Sequence, residues 1–250
     1  MPVPGILPRM ALAAWKRFEK SDAVQHAKAR LRRLIGTEPD IRPMLTLDTV
    51  TEGGWCYHPD VLGSDSVVYS LGIGDNIDFD LALIARCGAA VHAFDPTPTT
   101  YETLDAAELP PQFQFHPWAA AADDGVLTLY PRVRHNDKLS QTMYTLEPDP
   151  QSQAHGIDVP AYTVSTLMDK LGHAHVDLLK MDIEGAEYGV IDALLASPHR
   201  PTQLLVEFHH RHKTIGKQRT VDAVDKLIAA GYAVYAVSFN VREVSFMHQT

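Results

Sequence analysis

An apolar run that ends in acidic side chains occupies residues 176–187, which read VDLLKMDIEGAE. Its apolar part, Val176–Met181, has the length and composition of a buried strand, and three carboxylates follow at Asp182, Glu184 and Glu187. In open α/β sheets ligands bind at the carboxyl ends of the strands, so we expect these carboxylates to face a cleft. In the alternative interpretation, Glu184 and Glu187 only cap and charge the start of the next helix.

The chain on both sides of this run alternates strand-like and helix-like segments, which is the pattern of a doubly wound, mostly parallel sheet. The predicted strands are Val67–Leu71, Val91–Phe94, Phe113–His116, Val176–Met181, Leu204–Phe208, Tyr232–Val237 and Val244–His248. The predicted helices are Asp78–Cys87, Thr99–Ala107, Ala186–Leu195 and Thr220–Ala230. Only a few residues around Asn240 join the last two strands, too few for a parallel crossover, so the last strand should run antiparallel.

A further pair of predicted strands, Val126–Tyr130 and Ile157–Val164, brackets a polar stretch at residues 132–156. This stretch has little apolar periodicity, and long loops in compact domains are usually functional or disordered. We therefore predict that Tyr144 and His135 belong to a lid over the substrate.

Local composition divides the chain into three parts. Apolar residues recur at helical spacing from Arg9 to Leu34, and a glycine follows, so residues 1–36 are predicted to form an N-terminal accessory helix. Residues 37–66, rich in Pro, Gly and Asp, are predicted to be a connecting segment with little regular structure. Residues 67–250 are predicted to form the main domain.

Charge is divided in a similar way. Residues 1–36 carry eight Lys or Arg against two Asp or Glu, although the whole chain has a net charge of -9. The acidic remainder argues against nucleic acid as the main partner, because neutralising phosphates requires a basic face. The basic segment is either a solvated helix face or a surface for a membrane or an acidic partner. The sequence leaves the oligomeric state open.

The 250 residues are 45% hydrophobic and 21% charged, which is an ordinary globular composition. Two cysteines, Cys56 and Cys87, are too few for a disulfide framework, and no Cys/His spacing indicates a zinc site. No apolar run reaches the roughly 18 residues of a membrane span, and no secretion signal is recognisable. We therefore expect a cytoplasmic protein.

A glycine turn follows the first predicted strand, in residues 67–76, which read VVYSLGIGDN. Gly72 and Gly74 allow the backbone to turn sharply and to approach a ligand closely. We expect that a side chain at Gly72 would block this ligand while leaving the fold intact. Asp95 ends the next strand, where doubly wound folds hydrogen-bond the hydroxyls of a ribose. Together these residues predict a site for a nucleoside-containing cofactor.

The identity of this cofactor depends on the residues after the turn. The third glycine of a pyrophosphate-binding turn is absent, since Gly74 is followed by Asp75 and Asn76. Acidic residues near a helix N-terminus, here Asp75 and Asp78, would repel a pyrophosphate but suit a sulfonium or an amino group. The electrostatics therefore favour S-adenosylmethionine over NAD.

At residues 180–187, KMDIEGAE, the chain resembles the FkbM family of S-adenosylmethionine-dependent methyltransferases, whose hallmark is a strand ending in Lys-hydrophobic-Asp-hydrophobic-Glu-Gly-x-Glu. The resemblance extends over residues 54–248. It includes the first cofactor motif SLGIG at 70–74, the ribose motif FDP at 94–96, the fifth strand LVEFH at 205–209, and the closing strands at 232–237 and 243–248.

This resemblance implies a class I methyltransferase fold, an α/β, Rossmann-like, doubly wound sheet of seven strands with an antiparallel last strand, and S-adenosyl-L-methionine as the cofactor. Ser70 stands where many relatives carry Asp, so we expect Asp75, Asp182 or backbone carbonyls to recognise the methionine amine instead. Trp118, after the third strand, either stacks on the adenine or belongs to the core. The predicted cofactor-binding residues are Ser70, Gly72, Gly74, Asp75, Asn76, Asp95, Trp118 and Asp182.

The fifth strand places Glu207 and His209 on one face, toward the cleft. A histidine near neutrality can take the proton of a hydroxyl during methyl transfer, so His209 is the candidate base, and Asp182 and Glu207 are the other predicted catalytic residues. His209 is equally consistent with a solvated or core histidine. The three side chains also suit a divalent cation that polarises an acceptor hydroxyl. Neither their spacing nor their number demands one, and the predicted site contains no metal.

The function that these observations favour is methyl transfer from S-adenosylmethionine to a hydroxyl of a small molecule, such as a sugar or a secondary metabolite. One alternative is an NAD-linked oxidoreductase of Rossmann topology, which the missing third glycine and the antiparallel last strand disfavour. Another is a nucleoside-binding module without catalytic activity, which the intact cofactor motif disfavours.

Overall fold

The computed structural model describes residues 22–105, 108–133, 138–145, 149–212 and 214–249. Its strands are β1 (Val50–Glu52), β2 (Trp55–Tyr57), β3 (Val67–Leu71), β4 (Ala90–Phe94), β5 (Phe113–His116), β6 (Ala119–Ala120), β7 (Gly125–Val133), β8 (Leu139–Thr145), β9 (Ile157–Tyr162), β10 (Leu178–Met181), β11 (Gln203–Glu207), β12 (Tyr232–Val237) and β13 (Glu243–His248). Its helices are α1 (Asp22–Leu34), α2 (Asp78–Cys87), α3 (Pro98–Asp105), α4 (Val164–Leu171), α5 (Glu187–Ala196) and α6 (Gly216–Ala229).

The central sheet has the strand order β12-β13-β11-β10-β3-β4-β5, counted within the described ranges. Its strands are parallel except β13, which pairs antiparallel with both β11 and β12. The order reverses between β3 and β10, so the carboxyl ends of these neighbouring strands open a crevice between connections that leave in opposite directions. The predicted Rossmann-like, doubly wound sheet with an antiparallel last strand is confirmed.

The strands form because they are short, almost entirely apolar runs that lose their solvent on both faces. In β10, Leu178, Leu179 and Met181 have no exposed surface. Helices α4, α5 and α6 contribute to the core on one side of the sheet, and α2 with the β1–β2 hairpin contributes to the core on the other. Burial on both faces fixes the register of the central strands and therefore the positions of the residues at their carboxyl ends.

A second sheet with the order β6-β9-β7-β8 lies in the region for which the sequence predicts two strands around a polar stretch. The structure places a further strand, β8, inside that stretch, antiparallel to β7. It also places α4 directly after β9, from Val164, although the sequence predicts a strand that continues to Val164. The Thr163 hydroxyl caps α4 by accepting a hydrogen bond from the backbone N–H of Thr166.

The segment predicted to be a connection with little regular structure, residues 37–66, contains the β1–β2 hairpin. Trp55 and Tyr57 of β2 are buried and pack against Phe79 of α2, which stabilises this pair of three-residue strands. Strands so short carry too little periodicity to be recognised from the sequence.

The predicted accessory helix is described from Asp22, and its earlier part lies outside the described residues. Helix α1 contacts the main domain through the His26 ring, which stacks on the Phe239 ring at a centroid distance of 4.1 Å. The Arg33 side chain donates a hydrogen bond to the Phe239 carbonyl. Within the described ranges, no helix combines the length and the apolar character that crossing a bilayer requires.

Candidate active site

A cavity of about 440 Å³ opens at the carboxyl ends of β3, β4, β10 and β11. The glycine turn and Asp95 line one end of it, and Asp182, Glu184 and Glu207 line another part. Most of the predicted site residues therefore meet in one cavity. Its volume lies within the range of small-molecule sites.

Gly72 is required by the close packing of β3 against the end of β10. Its φ is 73°, and a Cβ atom there would lie 1.8 Å from the backbone oxygen of Asp182. The Gly72 N–H donates to the Phe94 carbonyl, and the Lys180 ammonium donates to the Gly72 carbonyl at 3.2 Å. The expectation that a side chain at Gly72 would spare the fold is therefore wrong, because it would collide with backbone rather than only with a ligand.

Gly74 has a different role in the same turn. Its φ is 56°, but a Cβ atom at this position would meet nothing within 4 Å. The Gly74 N–H donates to one oxygen of Asp95 at 2.8 Å, and the Thr97 N–H donates to the other at 2.8 Å. These two bonds fix the orientation of the nearly buried Asp95 carboxylate at the wall of the cavity.

Asp75, Asn76 and Trp118 also line the cavity. The Asn76 side chain accepts a hydrogen bond from the backbone N–H of Asp78, two residues on, in the turn that leads into α2. The Trp118 ring stacks on the His116 ring at 5.0 Å and also packs against the main core. Both interpretations of Trp118 are thus compatible with its position, because it faces the core and the cavity.

Ser70 is the predicted cofactor-binding residue that the structure does not bring to the cavity. It is fully buried within β3 and lies close to Asp80 of α2, which is also buried. Burial raises the pKa of Asp80, and the positive charge of Lys180 opposes this effect. A Ser70 side chain points to one face of the strand, whereas the cavity lies beyond the strand end, so its assignment to the cofactor is corrected.

Four side chains form what we call the acidic cluster: Asp182, Glu184, Glu207 and His209. The ligand atoms of Asp182, Glu207 and His209 all lie within 4.8 Å of one another. His209 Nε2 lies 3.8 Å from Asp182 Oδ1 and 3.5 Å from Glu184 Oε2. The carboxyl ends of β10 and β11, with the residues just after them, therefore bring the predicted catalytic residues together.

Glu184 reaches the acidic cluster from a backbone conformation that non-glycine residues rarely adopt, with a φ of 54°. Its carboxylate accepts a hydrogen bond from Arg132 of β7 at 2.8 Å, which ties the second sheet to the motif that follows β10. A left-handed conformation of a non-glycine residue costs free energy and persists only where the surrounding structure enforces it. Such residues concentrate at functional sites.

The pKa values in this region reflect burial and crowding of like charges. Burial, followed by the nearby charge of Asp182, raises the pKa of Glu207 to about 7, while Arg242, which forms an ion pair with Glu207, opposes the shift. Burial lowers the pKa of His209, but its hydrogen bond to Glu187 and the surrounding carboxylates outweigh burial and raise it.

His209 lies behind the cavity wall, with 3% of its surface exposed. Its backbone N–H and its Nδ1 both contact Glu187 Oε1, at 2.9 and 3.3 Å. Glu187 thereby holds the imidazole so that the opposite nitrogen, Nε2, points toward Asp182 and Glu184. Asp182 and Glu207 line the cavity directly, and His209 acts on it through them.

Sequence reasoning missed several residues that line the cavity. Gly53, Gly54 and Trp55 come from the β1–β2 hairpin, and Lys180 and Glu243 come from β10 and β13. The Lys180 ammonium lies 5.0 Å from the centre of the Trp55 ring, within the range of a cation–π contact. A Gly-Gly pair before an aromatic residue was the available signal for the hairpin. Tyr144 of the predicted lid does line the cavity, and His135 lies outside the described residues.

Comparison with protein families gives one assignment. The family model of the methyltransferase FkbM domain matches residues 67–234, about two thirds of the chain. No curated protein sequence matches the chain.

Solved structures that the chain is similar to include the methyltransferase FkbM from Methylobacillus flagellatus KT, at 14% identity and a TM-score of 0.47, over 75% of this chain and 44% of that one. This chain thus spans less than half the length of that protein. Fibrillarin from Aeropyrum pernix, with natively bound S-adenosyl-L-methionine, matches at 11% identity and a TM-score of 0.39, over 83% and 84% of the two chains. The 16S rRNA (adenine(1408)-N(1))-methyltransferase from Catenulisporales acidiphilia matches at 16% identity and a TM-score of 0.36, over 81% and 96%.

Proposed function

Because the chain belongs to the FkbM family of methyltransferases, we propose that it transfers a methyl group from S-adenosylmethionine to a hydroxyl group of a small molecule. The observation that carries the proposal is one cavity that contains two chemically different groups of residues, the glycine turn with Asp95 and the acidic cluster. A methyl donor and an acceptor bound beside these two groups would meet inside the same cavity. Such positioning supplies a large part of the rate enhancement of a two-substrate reaction.

The glycine turn and Asp95 fit a nucleoside-containing methyl donor. Each Asp95 oxygen accepts one backbone N–H and retains a further lone pair for a ribose hydroxyl. The open space beside Gly74 leaves room for a ligand to approach the backbone. The donor supplies an electrophilic methyl group on a sulfonium, and the residues of the chain bind and orient it.

The charge of the cavity supports this donor and a non-phosphorylated acceptor. The acidic residues that line the cavity are Asp75, Asp95, Asp182, Glu184, Glu207 and Glu243. Among the described residues, Lys180 is the one Lys or Arg that lines the cavity, against these six carboxylates. An excess of carboxylates attracts a sulfonium and repels the phosphates of NAD or of a nucleic acid. We therefore propose a small polyhydroxylated or amine-bearing acceptor rather than RNA.

Asp182, Glu184 and Glu207 are the members of the acidic cluster that line the cavity. The acceptor hydroxyl would lie beside Asp182 and Glu207. Its oxygen attacks the methyl carbon, the bond from that carbon to sulfur breaks, and the hydroxyl proton passes to the acidic cluster. General-base assistance of this kind typically contributes 10²–10⁴-fold to a rate. His209 would support proton uptake from behind the wall, through its contacts with Asp182 and Glu184.

A binding experiment tests the donor. Calorimetric titration with S-adenosylhomocysteine should show one site per chain, and titration with NAD should show none under the same conditions. Tight binding of NAD with no binding of S-adenosylhomocysteine would contradict the proposal.

A turnover experiment tests the acceptor class. The protein is incubated with S-adenosylmethionine and pools of sugars, hydroxylated metabolites and short RNAs, and mass spectrometry identifies products that have gained a methyl group. We expect methylated hydroxyls in the small-molecule pools. Methylation confined to the RNA pool would contradict the proposed acceptor and leave the donor unchanged.

A further inference from the structure

The side chains of Asp182, Glu207 and His209 converge in an arrangement that suits a metal ion. Two carboxylates and one imidazole converge from the ends of two adjacent parallel strands, with ligand atoms within 4.8 Å of one another. Around a magnesium-sized ion with bonds of about 2.1 Å, octahedral ligand atoms are about 3 to 4.2 Å apart. The separation of 3.8 Å between His209 Nε2 and Asp182 Oδ1 falls within that interval.

The orientation of His209 is a second and independent observation. The side chain is 97% withdrawn from solvent, and the fully buried Glu187 carboxylate holds its Nδ1. This leaves Nε2 aimed at the space between the carboxylates, with contacts of 3.5 Å or longer to the acidic residues of the cluster. A carboxylate on the remote nitrogen of an imidazole is the usual outer partner of a metal-ligating histidine, because it fixes the tautomer and the ring direction.

The local charge also requires compensation. Asp182, Glu184 and Glu207 lie together at this wall of the cavity, and Arg242 forms an ion pair with the Oε1 atom of Glu207. Arg132 is bound to Glu184. Carboxylates with one imidazole suit Mg²⁺ or Mn²⁺ rather than a thiolate-seeking ion.

We propose that Asp182, Glu207 and His209 bind one divalent cation, Mg²⁺ or Mn²⁺, which holds the acceptor hydroxyl beside the methyl donor. This inference deepens the proposed function and rests on it for the role of the ion. The cation lowers the pKa of the hydroxyl bound to it. A carbon–oxygen bond then forms, the carbon–sulfur bond breaks with its electron pair going to sulfur, and the hydroxyl proton goes to Glu184, which is close to the ligands without being one of them.

The test measures binding of Mn²⁺ itself and does not depend on turnover. Chelator-treated, buffer-exchanged protein is titrated with Mn²⁺ and followed by electron paramagnetic resonance of the free ion. We expect one site per chain that Mg²⁺ displaces. Asp182→Asn and Glu207→Gln should each weaken binding at least tenfold, and Glu187→Gln should weaken it 10–100-fold through the histidine. The matched control is Asp192→Asn, which should leave Mn²⁺ binding unchanged. Asp192 is an exposed carboxylate on α5, paired with Lys226 of α6.

The variants must be folded for this comparison, so each is checked by urea unfolding. One folded cavity-lining variant, Asp182→Asn or Glu207→Gln, is enough to test the loss of Mn²⁺ binding. Absence of a stoichiometric Mn²⁺ site in the wild type would overturn the proposal, and so would wild-type affinity for Mn²⁺ in both variants. Undiminished methyl transfer in a chelator would also overturn it while leaving methyl transfer established. Failure to bind S-adenosylhomocysteine, with Mn²⁺ binding intact, would instead contradict the proposed function.

Discussion

The two glycines of the turn after β3 tolerate side chains very differently. At Gly72 a Cβ atom would overlap the Asp182 backbone, whereas at Gly74 it would enter open space. Gly72→Ala should therefore lower the free energy of unfolding by more than about 3 kcal/mol. Gly74→Ala should cost only about 1–2 kcal/mol, the strain of a left-handed residue, but should weaken binding of S-adenosylhomocysteine. Urea unfolding and calorimetry on both variants check this pair, and equal losses of stability would contradict it.

Asp95 is the residue on which recognition of a ribose depends. Asp95→Ala removes the acceptor for ribose hydroxyls and also leaves the N–H groups of Gly74 and Thr97 without their partner. Hydrogen bonds to a charged group contribute about 1.5–3 kcal/mol, so affinity for S-adenosylhomocysteine should fall by roughly that amount. Calorimetry measures the loss, with the exposed Asp169→Ala as control. An unchanged dissociation constant in Asp95→Ala would remove this residue from the cofactor site.

At the scale of elements, one buried carboxylate links the segment after α1 to the loop after β11. Glu38, with 6% of its surface exposed, contacts His210 Nε2 at 2.5 Å and receives two hydrogen bonds from Arg211. His210 and Arg211 directly follow His209 in the chain. The N-terminal segment therefore braces the loop that carries a member of the acidic cluster.

Loss of this brace should be measurable. Removing one partner of a buried ion pair costs about 3–5 kcal/mol, and Glu38→Gln should approach the lower value because Arg211 is partly exposed. The matched control is Asp40→Asn, whose pair with Arg42 is exposed and screened by solvent, so its loss should leave the free energy of unfolding nearly unchanged. Both are measured by urea unfolding. A Glu38→Gln protein as stable as the Asp40→Asn control would show that the contacts of Glu38 do not stabilise the fold.

The elements differ in how far the sequence predicts them. The strands of the central sheet were recognised because burial on both faces makes them uninterrupted apolar runs, as in β3, whose predicted and observed bounds agree. The β1–β2 hairpin and β8 were missed, because their stability comes from pairing and from contacts with distant residues rather than from local periodicity. The same holds for Ser70, whose strand was correct but whose side chain faces Asp80 instead of the cavity.

The residues of the acidic cluster could be predicted because each lies at or just after the carboxyl end of a recognised strand. Glu187 was expected to face the cleft with Asp182 and Glu184, but it is fully buried behind the cavity wall, where it contacts His209. Lys180 and Trp55 received no predicted role in binding, since their contacts depend on distances between segments that are far apart in the chain. The contact between Glu187 and His209 spans 22 positions, and no local pattern encodes it.

At the scale of the whole molecule, three neighbouring histidines make stability depend on pH. The His92 ring lies 4.5 Å from the His173 ring and 5.3 Å from the His116 ring, and His92 is nearly buried. Burial, followed by its histidine neighbours, lowers the pKa of His92 to about 4. Burial also lowers the pKa of His116 and of His173.

The sign follows from proton uptake. Below pH 6.5 the unfolded chain protonates these histidines while the folded protein keeps them neutral, so the free energy of unfolding falls as pH falls toward 4. His92 alone should contribute a loss of about 2 kcal/mol between pH 7 and pH 5. Urea unfolding at several pH values measures this slope, which should be shallower in His92→Gln. Identical slopes in the two proteins would contradict the lowered pKa.

The place of β13 between β11 and β12 determines how the protein can fold while the ribosome is still making it. Strand β11 pairs with β13 from Gln203–Met247 to Glu207–Glu243. The ribosome translates β13 some tens of residues after β11. At about 5–20 residues per second, the edge of β11 remains without its neighbour for a few seconds. An unpaired edge is a template for other chains, so slow codons between β11 and β13 would increase aggregation of the nascent protein without altering any contact of the finished fold.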